Sequence, residues 1–121
     1  LILVCVIFSS NSFSNEIVGR SMKCEVKKET VRGYPFYFFF KDLDNVQSYF
    51  IDKTDEIKFL NLNYEEVKSN IIEIRYVGEI DKNNLILNHT KGGEQYKCSF
   101  LSSKKQLNKE LEEFAKIGSH K

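Results

Sequence analysis

Tryptophan is absent from the 121-residue sequence, and histidine occurs only at His89 and His120. A two-histidine metal centre would require the C-terminal tail to fold back, and a Ser-His triad would depend on His89 alone as its base. No serine lies in a Gly-x-Ser-x-Gly elbow. We therefore expect a protein that is not an enzyme and that has no metal site and no cofactor.

The sequence also lacks a long apolar run, since the longest is Leu1–Phe8. A membrane-spanning helix needs about 20 apolar residues, so we expect no membrane span. A short apolar run followed by small polar residues is typical of a secretory signal peptide, which we assign to residues 1–14, N-terminally truncated because Met and a basic region are missing. This interpretation predicts export to the periplasm or the extracellular space.

The sequence also lacks an excess of either charge, because 18 basic and 17 acidic side chains leave a net charge of +1. This balance disfavours nucleic acid as a partner, because binding to the phosphate backbone depends on an excess of Lys and Arg.

Cysteine is scarce, and Cys5 falls within the predicted signal peptide. The two that remain, Cys24 and Cys98, are predicted to form a disulfide in an oxidising compartment.

Alternating apolar and polar residues, separated by short Asp, Asn, Lys and Gly clusters, predict antiparallel strands joined by tight turns. About seven strands are expected, and residues 63–70 are interpreted as a loop. The predicted strands are Met22–Val26, Phe36–Phe40, Val46–Ile51, Ile57–Leu62, Ile72–Ile80, Leu85–His89 and Gln95–Phe100.

The last part of the chain changes to a helical period, with an apolar stripe of Leu107, Leu111, Phe114 and Ala115. Ser103 and Gln106 fit a capping box. These signals predict one helix over about residues 104–117, packed on the sheet or closing an open end of it.

Both cysteines fall on the apolar parity of their strands, so both thiols are expected to point into one core. A disulfide requires Cα atoms within roughly 4.4–6.8 Å, which places the first strand beside or across from the last. The sequence therefore predicts a mainly β fold, a small closed or nearly closed barrel or a sandwich, with the C-terminal helix packed on it.

In architecture, this disulfide-closed sheet resembles lysozyme-inhibitor and lipocalin-like barrels. The Gly-x-Trp signature of lipocalins cannot occur in a chain without tryptophan. The resemblance therefore implies a barrel, and it implies no ligand.

The segment Phe36–Phe40 is apolar at both parities, so both faces of this strand are expected to be covered. A small domain without tryptophan can fill its core with phenylalanine, which accounts for one face. Tyr37 and Phe39, on the other parity, could line a ligand pocket or a docking patch for a partner, and Tyr49 and Tyr76 could join that surface.

These features favour an exported, non-enzymatic binding module, whose partner would be a protein, an envelope component or a small apolar ligand. The alternative is a structural or accessory envelope protein with no ligand site. A cavity bordered by Tyr37 and Phe39 would favour ligand binding, whereas a solid core with an exposed aromatic patch would favour a partner surface.

Overall fold

The computed structural model describes residues 16–27, 35–90 and 93–117, which form a closed antiparallel β-barrel with a helix on its outer surface. Each strand pairs with the next along the chain, and the last pairs with the first. The predicted signal peptide lies outside the described residues. The elements are β1 (Ser21–Val26), β2 (Phe36–Phe40), β3 (Asn45–Ile51), β4 (Ile57–Lys68), β5 (Ile71–Ile74), β6 (Gly78–Asp81), β7 (Ile86–His89), β8 (Gln95–Leu101) and α1 (Lys104–Ile117).

Successive side chains of each strand point alternately into and out of the barrel, and the inward side chains fill the interior. Ile17, just before β1, is buried against the same core, and the Gly19 amide donates to the Phe40 carbonyl at 2.7 Å. The N-terminal approach to β1 therefore packs at that end of the barrel. The fully buried interior residues include Met22, Cys24, Phe38, Phe40, Val46, Ile80 and Leu87.

Cys24 lies directly opposite Cys98 in the β1–β8 ladder, and the two form a disulfide. The predicted meeting of the first and last strands is confirmed. The continuous ladder from β1 around to β8 shows that the fold is a closed barrel and not a sandwich.

The predicted antiparallel meander is confirmed, with eight strands where about seven were expected. One reason is that residues 63–68, predicted as a loop, continue β4 and pair with β5. Tyr64 anchors this half of the strand: its side chain is buried in the core, and its hydroxyl donates to the Asp42 carbonyl. The two apolar residues of the segment, Tyr64 and Val67, stand on opposite parities, so no alternation indicated a strand.

The other reason is a turn at residues 75–77, which divides the predicted strand Ile72–Ile80 into β5 and β6. The Val77 amide donates to the Ile74 carbonyl at 3.0 Å and closes this turn. Tyr76 was predicted on the inward parity of a strand, but it has a φ of 70° and is 75% exposed. Val77 is buried instead, and β6 resumes with Gly78 and Ile80 inward, opposite Ile74 and Ile72 of β5.

Helix α1 spans Lys104–Ile117, as predicted, and lies on the outer surface of the barrel. Its first turn is capped: the Ser103 hydroxyl accepts from the Gln106 amide at 3.1 Å, and the Gln106 side chain accepts from the Ser102 amide at 2.7 Å. The helix buries Leu107 and Leu111 against the sheet. It therefore packs on the barrel wall, one of the two arrangements that the sequence left open.

Candidate functional site: an aromatic depression at the rim of the barrel

Strand β2 is covered on both faces, as its apolar composition predicts. Phe36, Phe38 and Phe40 point into the barrel and belong to its core. Tyr37 and Phe39 point outward, where helix α1 packs over them. The second face of this strand is thus covered by a part of the same chain.

Three of the four predicted surface aromatics lie together under the helix. Tyr37 is buried in a cluster with Leu101, Leu107 and Leu111, and Phe39 and Tyr49 pack against that cluster. Tyr76 lies apart, in the β5–β6 turn, where its ring centroid is 5.1 Å from the Arg75 guanidinium carbon.

Two lysines hold the helix against this outer cluster. The Lys23 ammonium, on β1, lies 3.1 Å from a Glu110 carboxylate oxygen, and the Lys104 ammonium lies 4.4 Å from the centroid of the Phe39 ring. Partial burial works to lower the pKa of Lys23, but the hydrogen bond to Glu110 and the negative charges around the ammonium together outweigh it, and the pKa is raised. Burial raises the pKa of the neighbouring Tyr37.

Beside this cluster, at the rim of the barrel, lies an open depression of about 460 Å³. It forms because β2 pairs with β3 only as far as Tyr37 and Tyr49, while β3 continues to Ile51. Side chains from the inner and outer faces therefore meet at one rim. The described lining residues are Pro35, Phe36, Tyr37, Ser48, Tyr49, Phe50, Ile51, Leu60, Tyr96, Leu111 and Phe114.

The β3–β4 hairpin extends past the end of β2 and exposes large apolar side chains on both faces. Phe50 is 41% exposed, Phe59 45% and Leu60 57%. The ring centroids of Phe59 and Tyr49 are 5.4 Å apart, so part of this surface packs on the outer cluster. Such a grouping of exposed apolar side chains is uncommon on a soluble domain and is typical of an interaction site.

Asp52 organises the turn of this hairpin. Its carboxylate accepts hydrogen bonds from the Thr54 and Glu56 amides, at 2.8 and 3.0 Å, and pairs with the Lys58 ammonium at 2.8 Å. These donors, the Lys58 ammonium first among them, hold the pKa of Asp52 far below its usual range. The turn thus fixes the ends of the two strands that carry the exposed apolar groups.

Sequence reasoning did not single out Phe50, Leu60 or Phe114 as site residues. A signal for the first two was present, since Phe50–Ile51 and Phe59–Leu60 are adjacent apolar pairs and place apolar groups on both faces of a strand. The same criterion identified Phe36–Phe40. Nothing in the helical stripe could have shown that Phe114 reaches the rim while Leu111 is buried.

His89 packs against aromatic rings at the same end of the barrel. Its ring centroid lies 5.2 Å from that of Phe36 and 6.1 Å from that of Tyr96. Across residues 16–27, 35–90 and 93–117, no three or more His, Cys, Asp or Glu side chains are grouped so that they could hold a metal ion. Within the same ranges, no helix has both the length and the apolarity to cross a membrane.

The fold and the rim define a closed, disulfide-linked antiparallel barrel with an open aromatic depression. Comparison of the chain with protein-family models, with curated proteins and with solved structures found no match.

Proposed function

We propose that this protein is an exported, non-enzymatic binding module, and that the aromatic depression at the rim holds the apolar part of its ligand. The observation that supports the proposal most directly is the exposure of Phe50 and Leu60 beside that depression. Leaving such groups in water costs about 25 cal/mol per Å² of apolar surface, which binding would recover. The ligand is a protein segment, an envelope component or a small molecule with an apolar moiety.

The barrel interior supports binding at the rim and not in an enclosed cavity. Phe38, Phe40 and Leu87 have no exposed surface, so the centre of the barrel is packed. Polar groups accompany the aromatic rings of the depression: Ser48 lies in its lining, and the Tyr49 hydroxyl donates to the Gln47 side chain at 2.9 Å. A largely apolar surface with a few polar groups is typical of a binding site for an amphipathic ligand.

Binding of Nile red, an uncharged dye whose fluorescence increases in apolar surroundings, tests the proposal. We expect the full chain to bind the dye and Phe50→Ser to weaken binding several-fold, because Phe50 lines the depression. Leu43→Ser is the matched control, since Leu43 is a similarly exposed apolar residue in the β2–β3 turn, at the opposite end of the barrel. Equal binding by both variants and the unsubstituted chain would exclude this depression as the site.

Native and denaturing mass spectrometry of protein exported to a bacterial periplasm tests the remaining parts. The proposal predicts a mass reduced by the signal peptide and by two hydrogens for the disulfide, and a retained apolar molecule or bound protein in the native spectrum. A structural or accessory protein without a ligand site would show neither a bound species nor dye binding.

A further inference from the structure

The first half of β4 has one hydrogen-bonded edge and one open edge. Residues Ile57–Asn63 pair with β3, whereas β5 pairs with β4 only from Tyr64 onward. Along Ile57–Asn63, in the part of the chain that the structure describes, no strand lies on the side of β4 that faces away from β3. The ladder therefore ends on a stretch of exposed backbone.

The ladder geometry shows which backbone groups lie on the open edge. The Tyr64 amide donates toward β3, to the Asp44 carbonyl, whereas the Asn63 carbonyl accepts from Arg75 on the β5 side. Backbone groups alternate between the two sides along an antiparallel strand. The amides and carbonyls of Ile57, Phe59 and Asn61 therefore face outward, and none of them has a hydrogen-bond partner among the described residues.

We propose that two copies of this chain pair through this open edge, antiparallel, about a two-fold axis at Phe59. In that register Phe59 is opposite the partner's Phe59, and Ile57 is opposite the partner's Asn61. Residue pairs of this kind each exchange two hydrogen bonds, so all the outward backbone groups are satisfied by about six bonds. An interface between identical patches must be self-complementary in this way.

The side chains and charges suit the same register. Phe59 stacks beside its counterpart on one face, and on the other face Lys58 is opposite the partner's Leu60, so no like charges are directly opposed. The Lys58 ammonium is already paired with Asp52. Exposed apolar strand edges promote pairing between chains, and natural proteins usually block them. A single strand pair buries less than the roughly 800 Å² per partner of a standard interface, so we expect association in the micromolar range or weaker.

Sedimentation velocity of the full chain, from low to high micromolar concentration, tests the dimer. We expect the weight-average sedimentation coefficient to rise with concentration for the unsubstituted chain. Phe59→Lys and Phe59→Glu should each stay monomeric, because like charges would be opposed at the axis. An equimolar mixture of the two should associate again. Leu43→Lys and Leu43→Glu are the matched controls and should behave like the unsubstituted chain.

A backbone test uses Asn61→Pro, which removes an outward amide without removing a bond to β3. This variant should retain its thermal unfolding transition and lose association. A chain that stays monomeric at all concentrations, or a dimer that Phe59→Lys and Asn61→Pro leave intact, would overturn the proposal. A monomer that instead binds a synthetic Ile57–Asn63 peptide would show an edge reserved for another polypeptide and would also overturn self-pairing.

Dimer formation is separable from ligand binding at the rim. Asn61 does not line the described depression, so Asn61→Pro should leave Nile red binding unchanged. Phe50→Ser should leave the dimer unchanged. Either proposal can therefore fail while the other holds.

Discussion

Cys24 and Cys98 face each other directly across β1 and β8, the strands that close the barrel. Their sequence separation is 74 residues, so the disulfide joins the beginning and the end of the folded chain. Both side chains are buried in the core. The bond therefore links the first and last strands of the ladder at the place where the barrel closes.

Replacing both cysteines by alanine should lower the free energy of unfolding by roughly 4 kcal/mol, because a closed loop of this length restricts the unfolded chain. Urea denaturation measures the change. The reduced, unsubstituted chain is the control and should lose a similar amount. A loss below about 1 kcal/mol in both samples would mean that pairing of β1 with β8 does not depend on the bond.

Replacing Gly78 by alanine should destabilise the barrel strongly. Gly78 has a φ of 149°, and a Cβ atom there would lie 2.0 Å from the Asn88 carbonyl oxygen on the neighbouring strand. Backbone strain alone costs about 1–3 kcal/mol, and the clash with backbone adds to it. Thermal unfolding measures the effect. Gly93→Ala is the matched control, since Gly93 also has a positive φ, of 65°, but no atom of the described residues lies within 4 Å of the added Cβ. Equal losses of stability in the two variants would contradict the clash.

Breaking the contact between Lys23 and Glu110 should loosen the helix. Both side chains are 23% exposed, so Glu110→Gln should lower the free energy of unfolding by about 0.5–1 kcal/mol. The Lys23 pKa is raised in the folded state, so this stability is present below about pH 10 and is lost as the pH rises through the folded-state pKa. Hydrogen exchange of the α1 amides from pH 7 to pH 11 should show this loss. Glu113→Gln, on the exposed side of the helix, should change neither the free energy of unfolding nor the pH dependence of hydrogen exchange.

Tyr64 should ionise at an unusually high pH for a tyrosine. Burial, with the negative charges of Asp42 and Asp44 adding to it, raises its pKa to about 12. Absorbance at alkaline pH should show one phenol that ionises near that value and that is missing in Tyr64→Phe. Because the folded-state pKa exceeds the unfolded value of about 10, the contribution of Tyr64 to stability is present below pH 10 and falls as the pH rises toward 12. Complete titration of every tyrosine by pH 11 in folded protein would contradict this.

Much of the fold could be predicted because alternation is a local property. The parity of Cys24 and Cys98 was sufficient to place the first strand beside or across from the last, and the period change after residue 101 was sufficient for α1. The strand limits differed from the prediction where the local signal was ambiguous. A positive φ at Tyr76 and a strand from Asn63 to Lys68 depend on partners that are distant in sequence.

The candidate site could be predicted only in part. Tyr37, Phe39 and Tyr49 do lie together, but the sequence could not show that helix α1 covers them. Phe50 and Leu60 are candidates only because the neighbouring strands end before they reach these residues. Whether an apolar residue in a strand is exposed or buried depends on what lies beside it.

Residue order alone determined that this chain forms strands with one apolar parity, a C-terminal amphipathic helix and one cysteine pair within the domain. These follow from side-chain spacing and from local hydrogen bonding. Tertiary structure alone decided that the sheet closes with eight strands, that a rim depression opens where β2 ends before β3, and that β4 keeps an open edge. The physical reason is that strand offsets around a barrel are set by all the ladders together, and no single segment encodes them.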